Sequence, residues 1–344
     1  MKRVLFLIFC SLPLILLGRA RYIQSTHSGV RRQVSIIIPA RNEAHRLPRL
    51  LKSIRRQQQV EVEVIVADDQ STDNTRAIAQ EYGTDVVDVE PHTWSGKSYA
   101  CYVGAQIAHH ERLLFMDADT FFTHPYALKD FLGNGQSQGV LSVQPYHETG
   151  GALERLASVF NIVTVVGMNI FSLLSHMQTS CLFGPVMLTH REDYWRIGGH
   201  RVAKDAVMEG EALYRAYARA GIPIDLRLGK GYVHFRMYHS LSEMVRGFRK
   251  HIAVGSSQTH PWVMTLVMLW LSGSMIAVAS RRLSALLCYG LSFFVLSRRV
   301  ISTRLSSIVT FPLHVLFFFY VYGLSWYSTK LRKQVEWKGR HIEL

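Results

Sequence analysis

A chain of 344 residues that is 48% hydrophobic, 19% charged and holds only four cysteines is neither a polar disordered tail nor a disulfide scaffold. Its 39 Lys+Arg against 25 Asp+Glu leave a formal net charge of +14, which calls for an anionic partner, either nucleic acid or a membrane surface. No CxxC pair offers zinc or redox chemistry, and Cys10 and Cys288 fall inside apolar runs.

The first such run, Val4–Leu17, follows Lys2 and Arg3. It is shorter than the about 20 residues a span needs. A basic start and a short apolar core also describe a secretory signal, with Gly18 and Ala20 as a weak cleavage site. The expectation for residues 1–20 is an uncleaved N-terminal membrane anchor, with a cleaved signal as the alternative.

The soluble middle alternates strand and helix. Val34–Pro39 is a continuous β-branched run, hence a buried strand. Leu47, Leu50, Leu51 and Ile54 then recur at the spacing of one helix face. Val62–Ala67 is a second strand. Asp73 is a candidate N-cap and Gly83 a candidate C-cap for the helix between them. Val86–Val89 is a third strand, Ser98–His109 a helix and Arg112–Met116 a fourth strand. The alternation predicts an α/β domain with a mostly parallel sheet flanked by helices. In such sheets ligands bind beyond the carboxyl ends of the strands.

Those ends carry the polar residues. Strand one runs into Pro39-Ala40-Arg41-Asn42-Glu43, strand two into Asp68-Asp69, strand four into Asp117-Ala118-Asp119. Two carboxylates one residue apart can ligate a hard cation such as Mg2+ or Mn2+, which would neutralise a departing phosphate. Elsewhere Asp-x-Asp is usually a solvated turn. Asp69 is suited to accept hydrogen bonds from a base or ribose, and Arg41 to offset the acids or meet phosphate. Gly96-Lys97-Ser98 is not a complete phosphate loop, because Pro91 stands where the first glycine belongs. As a helix start it still offers an ammonium and backbone N–H groups to phosphate, or is simply a helix start.

Val159–Leu174 is nearly uncharged and is either a buried helix or an interfacial one that admits a lipid tail. His147, His234 and His239 form no metal-ligand pattern. Arg236, Arg246, Arg249 and Lys250 suit an acceptor carboxylate, or form a basic helix face at a membrane surface. Three apolar runs close the chain: Pro261–Ser280, Leu283–Ser297 and Ile308–Ser328, the last followed by Lys330, Arg332 and Lys333. The basic cluster Arg19, Arg21, Arg31 and Arg32 places residue 30 onward in the cytoplasm, and the basic tail asks for the same side. Three crossings would put the tail outside. Two crossings with one interfacial run would reconcile both signals, without saying which run is interfacial. No helix-turn-helix or RNA-binding aromatic motif is present, and the basic residues cluster beside apolar runs, so the anionic partner is membrane lipid and no nucleic acid is expected.

The ordered set VSIIIPARNE, VIVADDQSTDNT, GKS and MDAD resembles glycosyltransferase family 2, whose members use a GT-A fold and nucleotide-diphosphate sugars. The segments GKSYACY, LSVQPYH, FNIVTVVGMNIFS, FGPVMLT, REDYWRIGGH, FRMY and VEWKGR extend the resemblance over nearly the whole chain. They are similar to a membrane subgroup of staphyloxanthin-type carotenoid pathways, which attaches glucose from UDP-glucose to a C30 carotenoid acid, 4,4'-diaponeurosporenoate. The resemblance implies that Pro39, Ala40, Arg41 and Glu43 line the nucleotide pocket, that Asp69 faces the uracil and that Lys97 lies near the nucleotide. It assigns Asp117 to the diphosphate and Asp117 with Asp119 to the metal. Gly198, Gly199 and His200 would edge the acceptor site, with Arg249 and Lys250. The family's usual Glu-Asp pair, whose Asp is the base, has Gly210 in the Asp position. Glu209 is the nearest retained acid, with Glu211 and Asp205 as fallbacks. Arg246–His251 replaces the Gln-x-x-Arg-Trp motif of processive relatives, which argues against polymer synthesis.

A missing base has a chemical consequence. An alcohol acceptor must lose a proton in the transition state, whereas a carboxylic acid, with a pKa near ~4, arrives ionised. The expectation is therefore an inverting, metal-dependent glycosyltransferase acting from the cytoplasmic side of the cell membrane on a lipophilic acceptor, a carotenoid acid first. A hopanoid, diacylglycerol or polyprenyl phosphate acceptor, or a non-catalytic scaffold, are the alternatives. The expected organisation is an anchor at 1–20, a nucleotide-sugar half at 33–135, an acceptor and membrane-interface half at 136–257, membrane helices at 261–328 and a basic tail at 329–344.

Overall fold

The computed structural model describes residues 6, 10–12, 15–26, 32–90, 94–136, 138–173, 180–206, 208–238, 240–327, 334–337 and 340–343, with backbone only for 250–258 and beyond 327. In chain order it contains β1 (Arg32–Ala40), α1 (Leu47–Arg55), β2 (Val60–Asp68), α2 (Thr75–Glu81), β3 (Asp85–Asp88), α3 (Lys97–Ile107), β4 (Arg112–Met116), β5 (Thr120–Phe122), α4 (Ala127–Asn134), β6 (Val140–Gln144) and β7 (Tyr146–His147). Then follow α5 (Ser158–Gly167), β8 (Val186–His190), α6 (Arg191–Arg196), α7 (Glu209–Arg219), β9 (Ile224–Leu228), β10 (Val233–Phe235), α8 (Leu241–Gln258), α9 (Pro261–Ala279), α10 (Leu283–Val300), α11 (Ser307–Tyr327) and the strands β11 (Gln334–Trp337) and β12 (Arg340–Glu343). The strands and helices expected between residues 34 and 116 are all present, with ends shifted by one or two residues. The chain folds into two compact units, one from Arg21–Tyr146 and Ser180–Phe235, the other from Met1–Ala20, His147–Thr179 and Arg236–Leu344.

The first is a sheet unit. Its seven-stranded sheet has the order β3-β2-β1-β4-β8-β6-β9. β8 alone runs antiparallel to both neighbours, and the other pairings are parallel. Val34, Ile36, Ile37 and Ile38 of β1 are fully buried, as a central strand with covered faces requires. Each such side chain leaving water contributes roughly 1.5–3 kcal/mol. Leu47, Leu50, Leu51 and Ile54 bring α1 onto the same core. Ala40 pairs with Asp68 and Ile37 with Phe115, so the chain leaves β1, β2 and β4 at one edge of the sheet. Asp73, expected as the N-cap, stands one residue before it: its Oδ1 accepts from Thr75 N at 3.0 Å in the turn that leads into α2. The ladder begins one residue later, with Asn74 at the boundary. Gly83 ends the helix with φ 69°.

The second is a helical unit. Helix α5 is buried along most of its length, so Val159–Leu174 is a buried helix ending at Gly167 rather than one running to residue 174. Phe160 stacks on Phe248 of α8 at 4.1 Å and meets Phe318 of α11 at 5.0 Å. Leu16 and Leu17 of the N-terminal segment are buried. Helices α9, α10 and α11, with mean hydropathies of 1.8, 1.3 and 1.7, are each long and apolar enough to cross a membrane.

Candidate active site

The site is built where the sheet's parallel strands end. After β1 the chain turns at Asn42, which takes φ 54°. This turn is stitched to the loop after β2. Asn42 Oδ1 accepts from Thr72 N at 2.8 Å, Thr75 Oγ1 accepts from Glu43 N at 2.8 Å, and Asp73 Oδ2 accepts from Ala44 N at 3.1 Å. Arg41 donates Nη1 to the Asp69 carbonyl at 2.8 Å, with its carboxylate 3.6 Å away. Asp69 is almost fully buried. Pro39, Ala40, Arg41, Glu43 and Asp69 thus lie together at the carboxyl ends of β1 and β2.

Opposite these residues, the first residue of α3 reaches across the sheet edge. Lys97 Nζ lies 2.7 Å from Asp117 Oδ1, donates to the Gly184 carbonyl at 2.9 Å and sits 3.8 Å from Glu209 Oε1. Glu209 opens α7. Its other oxygen accepts from Ser98 Oγ at 2.8 Å, and His200 Nε2 stands 3.6 Å from Oε1. His200 is buried and held from behind: the Tyr194 hydroxyl lies 2.9 Å from Nδ1 and accepts from the His200 backbone N–H at 3.1 Å. With Nδ1 accepting from the phenol, Nε2 carries the proton and points it at Glu209. Gly199 lets the chain fold back this way, because at φ 58° a Cβ there would come within 2.6 Å of the Tyr194 ring. A small pocket lies among Pro39, Lys97, Asp117, Gly184, His200 and Glu209.

The electrostatics follow from this crowding. Burial works to raise the Glu209 pKa, but Lys97, His200 and Ser98 overcome it and hold the carboxyl at about 2. Lys97 is desolvated, yet Asp117 and Glu209 lift its pKa above the ordinary range. Burial raises Asp117; Lys97 opposes that, while Glu209 and Glu43 add to it. Asp119 is driven to about 7 by burial and then by Asp117 and Glu43. The acids thus exceed what Lys97 neutralises. That excess would suit a divalent cation, which Asp117 and Asp119 would hold.

The other sequence-derived residues fall as follows. Gly198 and Gly199 lead into His200. Glu211, two residues after Glu209 on α7, pairs with Arg215 instead. Asp205 is exposed. Arg249 lies on α8 in the helical unit, where its carbonyl accepts from Ser325 Oγ at 2.6 Å. The Lys250 side chain and all of His239 lie outside the described residues. Gly210 is packed so closely that a Cβ would strike the Leu182 carbonyl oxygen, and its own carbonyl accepts from Leu182 N at 3.0 Å. Sequence reasoning named Ser98 only as part of the Gly96-Lys97-Ser98 helix start and did not single out Tyr194 or the Gly184 carbonyl. All three sit inside motif segments, but nothing local marks them as partners of Glu209, His200 and Lys97.

Comparison with known proteins gives the same picture. Residues 35–198 match the family described as Glycosyl transferase family 2. Over 332 residues, 90% of this chain and 88% of the relative, the chain is 41% identical to the 4,4'-diaponeurosporenoate glycosyltransferase of Staphylococcus aureus strain USA300. The protein of that name in strain MRSA252 is 40% identical over the same length. Among solved structures, a mannosyltransferase from Pyrobaculum calidifontis, in complex with GDP-Man and Mn2+, matches with a TM-score of 0.51 and 16% identity, covering 94% of this chain and 99% of that one. At that identity the likeness speaks for the fold alone.

Proposed function

The chain belongs to glycosyltransferase family 2, and from that premise we propose that it transfers glucose from UDP-glucose, with inversion, to the carboxylate of a membrane-dissolved C30 carotenoid acid. The name of the Staphylococcus aureus relatives supports the acceptor. The observation that carries the reading is the state of Glu209. A carboxyl held at about 2 by a lysine, a histidine and a serine is a weak base. Gly210 offers no side chain to replace it. Such a site suits an acceptor that arrives without a proton to lose.

The residues then divide the work. Arg41 and Asp69 orient the base and ribose. A divalent cation held by Asp117 and Asp119, when bound, neutralises charge on the departing diphosphate. Lys97 adds a fixed positive charge on the same side. The acceptor carboxylate attacks C1 of the glucose on the face opposite the diphosphate. The C1–O bond to the ester forms as the C1–O bond to the diphosphate breaks, and UDP leaves with the electron pair. No proton moves. Glu209, locked in its charged form, takes no part in proton transfer.

Full-length protein in detergent, supplied with UDP-glucose, Mn2+ and the carotenoid acid, should give a hexosyl ester by mass spectrometry. Asp117→Asn should abolish it. Glu209→Gln should cost less than about tenfold in kcat/KM, or ~1.4 kcal/mol. A loss of several orders of magnitude, or transfer only to a hydroxylated acceptor, would overturn the carboxylate reading.

A further inference from the structure

The loop at 181–185, just before β8, belongs to no helix or strand, yet Cys181, Leu182 and Phe183 are buried. Buried backbone outside a ladder must find partners for its N–H and C=O groups. This loop finds them on four different elements. Leu182 N donates to the Gly210 carbonyl in the first turn of α7 at 3.0 Å, and the Pro185 carbonyl accepts from Asp117 N, just after β4, at 2.9 Å. The Gly184 carbonyl accepts from Lys97 Nζ on α3 at 2.9 Å. The fourth element is β6, where Ser142 takes both backbone groups of Phe183. Its Oγ accepts from Phe183 N at 2.7 Å and donates to the Phe183 carbonyl at 3.0 Å.

Three of these partners are pocket residues or their neighbours in sequence, and Ser142 is not. Leu182, Phe183 and Gly184 line the pocket, whereas Ser142 lies behind them. It is fully buried on a central strand, between Met187 of β8 and Leu226 of β9. A hydroxyl in such apolar company is costly unless it is bonded. Packing alone would be served by an alanine. Here one hydroxyl both donates and accepts to a single residue, as a neighbouring strand would, and so pins the middle of a loop that has no strand beside it there.

The two sides of that pinned residue carry the charged groups of the site. On one side the Gly184 carbonyl fixes the Lys97 ammonium, and the Pro185 carbonyl fixes the backbone of Asp117. On the other, Leu182 fixes the start of α7, where Glu209 stands. A shift at Phe183 therefore moves Lys97, Asp117 and Glu209 relative to one another. Fixed charges stabilise a departing diphosphate only where they are held in place beforehand.

We propose that Ser142 is a positioning residue for the transfer reaction, acting through the loop at 181–185. The proposal rests on the transfer reading above and extends it to a side chain outside the pocket.

Hydrogen exchange of the full-length protein in detergent, without substrates, gives the first test. The amides of Leu182 and Phe183 should exchange as slowly as those of β6 and β8, and exchange at the rate of an unprotected loop would overturn the proposal. In Ser142→Ala these two amides should exchange at least about tenfold faster while those of β1 keep their rate. In the same variant kcat should fall at least about tenfold, with KM for UDP-glucose within about threefold of its original value. Faster exchange shared equally with β1, or a kcat within about twofold of the unsubstituted protein at a temperature where the variant is folded, would reduce Ser142 to packing and overturn the proposal. If Ser142→Ala does not fold, Ser142→Cys, which keeps the shape and weakens both bonds, is read in the same way. A failure of the transfer reading is a separate result: the unsubstituted protein would then form no hexosyl ester, whatever the exchange at 182 and 183.

Discussion

Tyr194 controls the site without entering the pocket. Its hydroxyl satisfies both the backbone N–H and Nδ1 of His200, and only then does Nε2 face Glu209. Tyr194→Phe leaves two buried polar groups of His200 without that partner, at about 1–3 kcal/mol. The expected result is a lower melting temperature together with a fall in kcat/KM no larger than that of Glu209→Gln, because His200 no longer steadies Glu209. A variant with reduced stability and unchanged kinetics would show that Tyr194 only packs. The acids at the strand ends were legible from sequence, since a strand's carboxyl end is where a parallel sheet exposes its chemistry. The Ser98–Glu209 bond was not, because its partners are 111 residues apart and only the folded sheet brings them together.

At the scale of elements, Asp73 shows how a turn residue becomes a brace. One oxygen accepts from Thr75 N where the chain enters α2, while the other ties down Ala44 N in the loop after β1. Burial pushes the Asp73 pKa up, but bonds from Thr75 and Ala44 outweigh it and leave the pKa below its usual value. Asp73→Ala should cost about 0.5–2 kcal/mol for the lost bond at the helix start. It should also raise KM for the nucleotide sugar with kcat nearly unchanged, since the loop it frees carries Arg41. An unchanged KM would confine Asp73 to the helix start. Its place there was readable from the sequence, because the Asx chemistry is local. The direction of β8 was not, as a run such as Val186–Thr189 packs equally well either way. Nor was the packing of α11: hydropathy measures length and apolarity and carries no information about which neighbour a helix lies against.

For the molecule as a whole, the sheet unit was far more legible than the helical one. β-branched runs punctuated by turn residues state their period directly, whereas the helical unit is assembled from three distant stretches of chain. His147 stands at one of the joins. Its carbonyl accepts from Ser302 N at 2.7 Å, and its ring lies 2.8 Å from Asn161 Nδ2. Burial depresses its pKa from 6.5 to about 4 against the weaker pull of Asn161 and Glu154. The unfolded chain therefore takes up a proton first, and stability is lost as the pH falls from about 6.5 toward 4, by at most ~3 kcal/mol. His147→Gln should flatten that part of the curve of melting temperature against pH. Parallel curves for the two proteins would refute it. The carbonyls of Cys10 and Leu17 meet donors on α10 at a separation of 282 residues. During synthesis the leading segment must accordingly wait without those partners while the ribosome makes more than four-fifths of the polypeptide. The sheet unit can finish folding in that interval. Assembly of the helical unit is thus a late event, and truncations within α10 should leave a folded sheet unit joined to helices that have not packed together.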